Sequence, residues 1–249
     1  MRCSICIATH DKPDYLDRTL SSIFRQPVTD FGDVEVIVVD DRGVGGMNRQ
    51  VCDRYPVRYV RIDGDSEYRN PAKARNVAYR KATGDAVICQ SDDVVHSTKD
   101  CIERLIAGLT PGHFLLATVI NTDFSGNAVP INVENPTYSP LTTLVGPENP
   151  RPLFFLGSMR REDLYAVGGN DEDFILPGRD DVWFADCLMY GLGLSPTFTD
   201  EIVGHHLQHE HRAASFQESA VIYAHKHRQA KQGLSQWCAS GGPWPYYDR

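Results

Sequence analysis

The sequence predicts an α/β protein built on a doubly wound, mostly parallel sheet flanked by helices, and three observations carry that prediction. Short apolar runs (Arg2–Thr9, Val34–Val39 and Ala86–Cys89) end abruptly in polar or acidic residues, as strands buried on both faces do. The segments between them place apolar residues at helical spacing, as in Leu16, Leu20, Ile23 and Phe24. Strand and helix alternate in this way through residue 110, the pattern that parallel crossover connections require.

Arg2–Thr9 is the first strand, and His10-Asp11-Lys12-Pro13 breaks it. Pro13 is pre-set for the first turn of a helix running to about Arg25, with Asp11 or Lys12 at its cap. Val34–Val39 is the second strand, stopped by Asp40-Asp41 and the flexible Gly43–Gly46, and Val57–Ile62 is a shorter third. Asn70-Pro71 opens the next helix, whose Ala72, Ala74 and Ala78 allow close approach to a sheet. Ala86–Cys89 follows as a strand, and Ser97-x-x-Asp100 has capping-box spacing for a helix over Lys99–Leu109.

Phe114–Ile120 is another strand, and Asn121–Pro150, rich in Pro, Asn, Thr and Gly, reads as a long loop or hairpin insertion. Leu153–Met159 is a strand, Arg161–Val167 a short helix, Asp180–Tyr190 a helix and Glu201–His206 a last strand. The segment 213–231 has one apolar face, and the tail beyond Gly233 carries Trp237, Trp244, Tyr246 and Tyr247 for packing or binding.

Composition narrows the function. A chain of 249 residues, 41% hydrophobic and 23% charged, is ordinary globular material. Its net charge of −8, with no basic run, excludes a protein that holds nucleic acid through its phosphates. The apolar stretches are too short to cross a bilayer. A strand beginning within a few residues of Met1 leaves no room for a signal peptide, so a cytoplasmic protein, at most peripheral to a membrane, is expected. The cysteines number seven, and Cys3, Cys6, Cys89 and Cys187 lie in apolar runs as small buried hydrophobes of a reducing compartment. Cys3 and Cys6, three apart on a strand, point to opposite faces.

The chemistry concentrates where strands end. Gly84–His96 reads GDAVICQSDDVVH, and its strand runs into Ser91-Asp92-Asp93. In open α/β sheets ligands sit outside the carboxyl ends of the strands, and paired carboxylates there suit a hard cation such as Mg²⁺ or Mn²⁺. Asp40-Asp41 falls on the same rim. Arg75, near a helix start, offers a fork to phosphate oxygens. Asp180-Asp181 are equally suited to a helix cap and to a base that takes the proton of a hydroxyl. His205-His206 and His209-Glu210-His211 follow the last strand, but adjacent strand residues face opposite ways, so His205 and His206 do not share one metal easily. GxGxxG, GxxxxGK[ST] and HExxH are all absent, which removes the dinucleotide, P-loop and zinc-protease readings.

These segments, in this order, resemble the family 2 glycosyltransferases of the GT-A fold. The resemblance rests on Ser4–His10 with Leu16, Leu20 and Gln26; Val38–Asp41; Ala74-Arg75-Asn76 with Ala82 and Gly84-Asp85; Ser91-Asp92-Asp93; Val167-Gly168-Gly169 with Asp171-Glu172; Asp180-Asp181; and Ile202–His205. It implies a GT-A domain over 1–211, its nucleotide-binding half 1–110 and its acceptor half 111–211, with 212–249 as a helix and tail packed on it. It implies that Thr9, His10, Asp11, Asp41, Arg75, Ser91 and Asp92 hold a nucleotide-sugar donor, UDP-linked by default. Gly157 and Ser158 would border the donor sugar and the acceptor. Asp93 would bind Mn²⁺ or Mg²⁺ together with His205, or with His209 as second choice. Asp181, beside Asp180, would be the base of an inverting transfer to a glycan or other hydroxyl. Ser91 stands where the family has the first Asp of its DxD motif, and Asp180 where it usually has Glu. The rival readings are a sugar-nucleotide pyrophosphorylase, a metallophosphoesterase, and a silent carbohydrate-binding module using Trp183, Trp237 and Trp244.

Overall fold

The computed structural model describes residues 1–27, 33–63, 70–130, 142–209 and 216–246. Its first half follows the alternation: β1 (Cys3–Thr9), α1 (Pro13–Phe24), β2 (Val34–Asp41), a short α2 (Met47–Cys52), β3 (Arg58–Ile62), α3 (Ala72–Lys81) and β4 (Ala86–Ser91). The second half is more irregular: β5 (Val94–His96), α4 (Cys101–Ala107), β6 (His113–Thr122), β7 (Thr143–Val145), β8 (Leu156–Arg160), α5 (Arg161–Ala166) and α6 (Asp180–Asp186). It closes with β9 (Ser195–Leu207) and α7 (Phe216–Lys231). The 121–150 insertion supplies β7, and its residues 131–141 lie outside the described ones.

The strands form one sheet in the order β3-β2-β1-β4-β8-β6-β9-β5, with β7 paired to β6. β3, β2, β1 and β4 are mutually parallel, as are β6 and β9. β8 runs antiparallel between β4 and β6, and β5 antiparallel to β9, so the expected parallel sheet carries reversed strands in its second half. The sheet core is apolar on both faces of β1 and β2, where Ile5, Ile7, Ile37, Val38 and Val39 are fully buried, which is why those strands read as unbroken apolar runs.

One connection dictates the shape. β4 and β5 are joined through Asp92-Asp93 alone, yet β8, β6 and β9 lie between them in the sheet. A flat sheet would hold β4 and β5 about 19 Å apart, whereas the turn spans at most about 11 Å. The sheet must therefore curl, bringing the ends of β4 and β9 together. Gln90 pins the turn: its Nε2 donates to Val94 O at 2.7 Å and its Oε1 meets His96 Nε2 at 2.8 Å. Burial pushes the His96 pKa down to about 4, so the ring is neutral.

Local caps differ from the sequence expectation in one place. Asn70 Oδ1 accepts from Ala72 N–H at 2.8 Å, as anticipated for α3. The capping box at α4 does not form: Asp100 instead accepts from Arg104 Nε, and the Cys101 N–H donates to Gln26 Oε1 at 2.8 Å. The tail packs. Trp244 meets Tyr165 edge-on at 5.3 Å and lies under the Arg80 guanidinium, and Ala239 N–H donates to Val167 O. Tyr247 lies outside the described residues. Trp183 is buried with its indole N–H on Asp171, and the Trp237 ring lies 5.6 Å from that of Trp183, tilted by 30°. All three tryptophans pack on neighbouring side chains, Trp183 fully buried and Trp237 and Trp244 partly so.

Candidate active site

Asp93 is the centre of the site. It sits in the β4–β5 turn, and its backbone carbonyl accepts from Leu207 N–H at 2.8 Å, which ties the turn to the end of β9. Its Oδ2 lies 3.7 Å from His206 Nε2 and 3.0 Å from His209 Nε2. Asp93, His206 and His209 thus converge, with one ligand atom from each lying within 4.8 Å of the others.

The histidine ring orientations are built in. His206 Nδ1 lies 2.9 Å from Asn121 Oδ1, while Asn121 Nδ2 donates to Val129 O. That contact sets the amide with its oxygen toward the ring, so Nδ1 carries a proton and Nε2 is turned toward Asp93. The pairing of adjacent strand residues to opposite faces decides which histidine is used. His205 stands beside His206 on β9 but is outside the cluster, so the expected Asp93–His205 pair is replaced by Asp93–His206, with His209 joining. His211 lies outside the described residues.

Lys12, read from sequence only as a cap, reaches into this cluster. Its Nζ donates to Asp93 Oδ2 at 2.7 Å, lies 3.0 Å from His209 Nε2 and is 3.7 Å from Asp92 Oδ1. Burial would lower the lysine pKa, but Asp92 and Asp93 outweigh it and raise it. Burial also works against an ionised Asp93, yet Lys12 and the two histidines hold its pKa well below the usual carboxylate range. Asp92, buried with Lys12 as a more distant partner, is shifted up by that burial. Asp93 Oδ1 is buried with no hydrogen-bond partner. A carboxylate with an unpaired buried oxygen, beside two imidazoles, is a donor set that fits a first-row divalent cation.

A second cluster forms at α6. Arg75 Nη1 donates to Asp181 Oδ1 at 2.7 Å, and Phe154 N–H donates to Asp181 Oδ2 at 3.3 Å. Arg75, expected on the donor phosphates, pairs with Asp181 in this structure, its side chain 11% exposed. Asp180 is buried beside them and accepts from Gly178 N–H at 3.1 Å. Burial, then the neighbouring Asp181 charge, push its pKa up to about 6. Arg179, just before it, holds a left-handed φ of 65°, an uncommon conformation for a residue of its kind. Asn76 links this region to the loop after α5, donating to Asn170 O and Glu172 Oε1.

Phe154 and Phe155 join the two clusters. The Phe154 N–H touches Asp181, and the Phe155 ring meets His206 edge-on at 5.3 Å. These residues border the site. Gly157 and Ser158, expected there, do not: both are buried within β8, where Gly157 pairs with Cys89 and Leu116 and Ser158 Oγ donates to Leu105 O at 2.7 Å. A Cβ at Gly157 would stand 2.6 Å from Leu115 O, so its smallness serves strand packing.

The remaining expected residues lie along the rim of β1, β2 and β4. Thr9 is buried at the end of β1, and Ser91 ends β4 with its N–H donating to Phe155 O. His10 Nδ1 lies 2.6 Å from Asp41 O, the Asp41 carboxylate pairs with Arg42, and Asp11 accepts from Val44 N–H. Asp40 is structural: it accepts from Gly43 N–H, Asn48 and Tyr59.

The model of glycosyl transferase family 2 matches residues 4–166. The chain belongs to this family. The family match contains Lys12, Arg75 and Asp93 and stops before Asp181, His206 and His209. Among curated proteins, the family 2 chain is similar to the poly(ribitol-phosphate) β-N-acetylglucosaminyltransferase TarS of Staphylococcus aureus strain Mu50. Identity is 25% over 177 residues, covering 66% of this chain and 29% of TarS. The chain therefore spans less than a third of the length of that relative. Among solved structures, a mannosyltransferase from Pyrobaculum calidifontis, in complex with GDP-Man and Mn²⁺, superposes with a TM-score of 0.61. It shares 21% identity, over 94% of this chain and 64% of that one. Residues 1–349 of S. aureus TarS, in complex with UDP-GlcNAc, give the same TM-score, 0.61, at 19% identity over 91% of this chain and 66% of that one. The family 2 chain shares their GT-A fold.

Proposed function

We propose that this chain transfers a sugar from a nucleoside-diphosphate sugar, with uridine as the donor base, to a hydroxyl acceptor with inversion at the anomeric carbon. The observation that carries the reading is the pair of clusters joined by Phe154-Phe155, a cation-binding set on one side and a positioned carboxylate on the other. The family membership and the similarity to TarS support the reaction class and the uridine donor.

Asp93, His206 and His209 would hold a Mn²⁺ or Mg²⁺ ion, and such an ion neutralises the charge that builds on a diphosphate leaving group. Thr9, His10, Asp11, Asp41, Ser91 and Asp92 line the rim where the nucleotide lies. Arg75 aims the Asp181 carboxylate and Phe154 N–H braces its second oxygen. Asp181 takes the acceptor proton as that oxygen attacks the face opposite the departing diphosphate. Asp180, buried beside Asp181, takes a proton more readily than an ordinary carboxyl, its pKa pushed up to about 6 by burial and then by the Asp181 charge.

Unfolding midpoints measured with UDP, GDP, CDP and dTDP, each with Mn²⁺ and with EDTA, test this. A nucleotide at about 100 times its dissociation constant adds ~2.7 kcal/mol to stability. UDP is expected to stabilise with Mn²⁺ and much less with EDTA. Stabilisation by none of the four would overturn the reading.

A further inference from the structure

The Lys12 ammonium stands where a metal would. Asp93 Oδ2 and His209 Nε2 are 3.0 Å apart, and Lys12 Nζ lies 2.7 Å from the first and 3.0 Å from the second. An ammonium can only donate, and this one sits between a carboxylate oxygen and an imidazole nitrogen that face one point. A carboxylate oxygen and an imidazole nitrogen brought that close, with His206 beside them, face the space a single cation would take.

A first-row divalent ion bonds such atoms at about 2.0–2.2 Å. Every point within that reach of both atoms lies within about 4 Å of Lys12 Nζ, and most of those points overlap it. Resident ammonium and incoming dication therefore either collide or repel at close range.

We propose that Lys12 is a resident counter-ion of the metal centre, which a divalent cation must displace in order to bind. The proposal rests on the cation site assigned under the transferase reading. Lys12 places one positive charge against Asp93 and His209 at the β4–β5 turn. Its position suits the exchange: it follows Asp11, which holds φ at 47°, and it immediately precedes α1, so only its four-carbon side chain needs to swing. At 28% exposure it has a way out to solvent. Displacement also makes metal binding conditional. A weak dication, without a diphosphate to add ligands, is held off by the lysine, and the site loads when donor and ion arrive together.

The test uses Mn²⁺ alone, with no nucleotide, and reads free Mn²⁺ by its EPR signal during titration of the full chain. Lys12→Met is expected to bind Mn²⁺ at least about tenfold more tightly than the wild type, because the competing charge is gone. Lys12→Gln is a second neutral variant should the first fold poorly, and it is expected to tighten binding in the same direction. Lys12→Arg, which keeps the charge, is expected to stay as weak as the wild type. Adding Asp93→Asn to Lys12→Met is expected to abolish the gain. Equal or weaker Mn²⁺ binding by a folded neutral variant overturns the proposal, as does a gain that survives Asp93→Asn. Because no donor or acceptor is present, this failure is distinct from failure of the transferase reading, which the nucleotide melts decide separately.

Discussion

Asn121 is a small lever on a large effect, since its amide sets which nitrogen of His206 carries the proton. Asn121→Asp keeps an acceptor for Nδ1, whereas Asn121→Leu removes it and frees the tautomer. The leucine variant is expected to lose about 10–100-fold in Mn²⁺ affinity, read by the same EPR titration, with the aspartate variant close to wild type. Asp181→Asn is expected to retain nucleotide binding and to lose ~10²–10⁴-fold in transfer rate; transfer at near wild-type rate would remove Asp181 as the base. Asp180 gives a pH signature. Its pKa is about 6 in the folded chain against an ordinary 3.8, so the folded state holds the proton more firmly than the unfolded one. The stability this confers is full below about pH 4 and is lost as pH rises through 6. Asp180→Asn escapes that loss. Urea unfolding is expected to show the variant gaining roughly 2 kcal/mol on the wild type between pH 4.5 and 7. Of the residues that make the site, Asp93 and His209 were legible in sequence because carboxylates and imidazoles cluster at strand ends. Lys12 was not, since its backbone role as a cap hides a side chain that reaches 81 residues along the chain. His206 was hidden by parity: β6 and β9 slip register between Ala117 and Thr118, and a slip of that kind is set by pairing that no sequence run displays.

At the scale of elements, the legible pieces are those whose pattern is local. β1, β2 and β4 announce themselves as apolar runs, and α3 by Asn70-Pro71. β5 and β7, three residues each, carry no periodicity and exist because β9 and β6 offer them a partner edge. The start of β9 is illegible in sequence for a related reason: the segment 195–200 is mostly polar and partly exposed, a strand by its pairing with β6 and not by its composition. The cap of α4 is likewise non-local. Gln26 is 75 residues from the N–H it accepts, so Gln26→Ala is expected to cost about 0.5–2 kcal/mol, as loss of any helix cap does. Chemical denaturation checks it, and Ser97→Ala, at the capping box that does not form, is expected to change stability far less.

At the scale of the whole molecule, the tail is part of the fold. Trp237, Ala239 and Trp244 cover α5, α6 and the loop between them. Trp244→Ala, which loses the Tyr165 and Arg80 contacts, is expected to destabilise by roughly 2–4 kcal/mol. Among the described residues no helix is long and apolar enough to cross a membrane. The curl has a consequence in time as well as in shape. β1 and β2 pair at a separation of 31 residues (Cys3 with Val34) and β1 and β4 at 83 (Cys3 with Ala86), whereas Asp93 and His209 are 116 residues apart, and long loops close late. A ribosome emitting this chain therefore releases β1, β2 and β4 first, and Asp93 meets His206 and His209 only after β9 has emerged. Pulse-labelled hydrogen exchange during refolding is expected to protect β1 and β2 before β5 and β9, so that the meeting of Asp93 with His206 and His209 is the last event in the making of the protein.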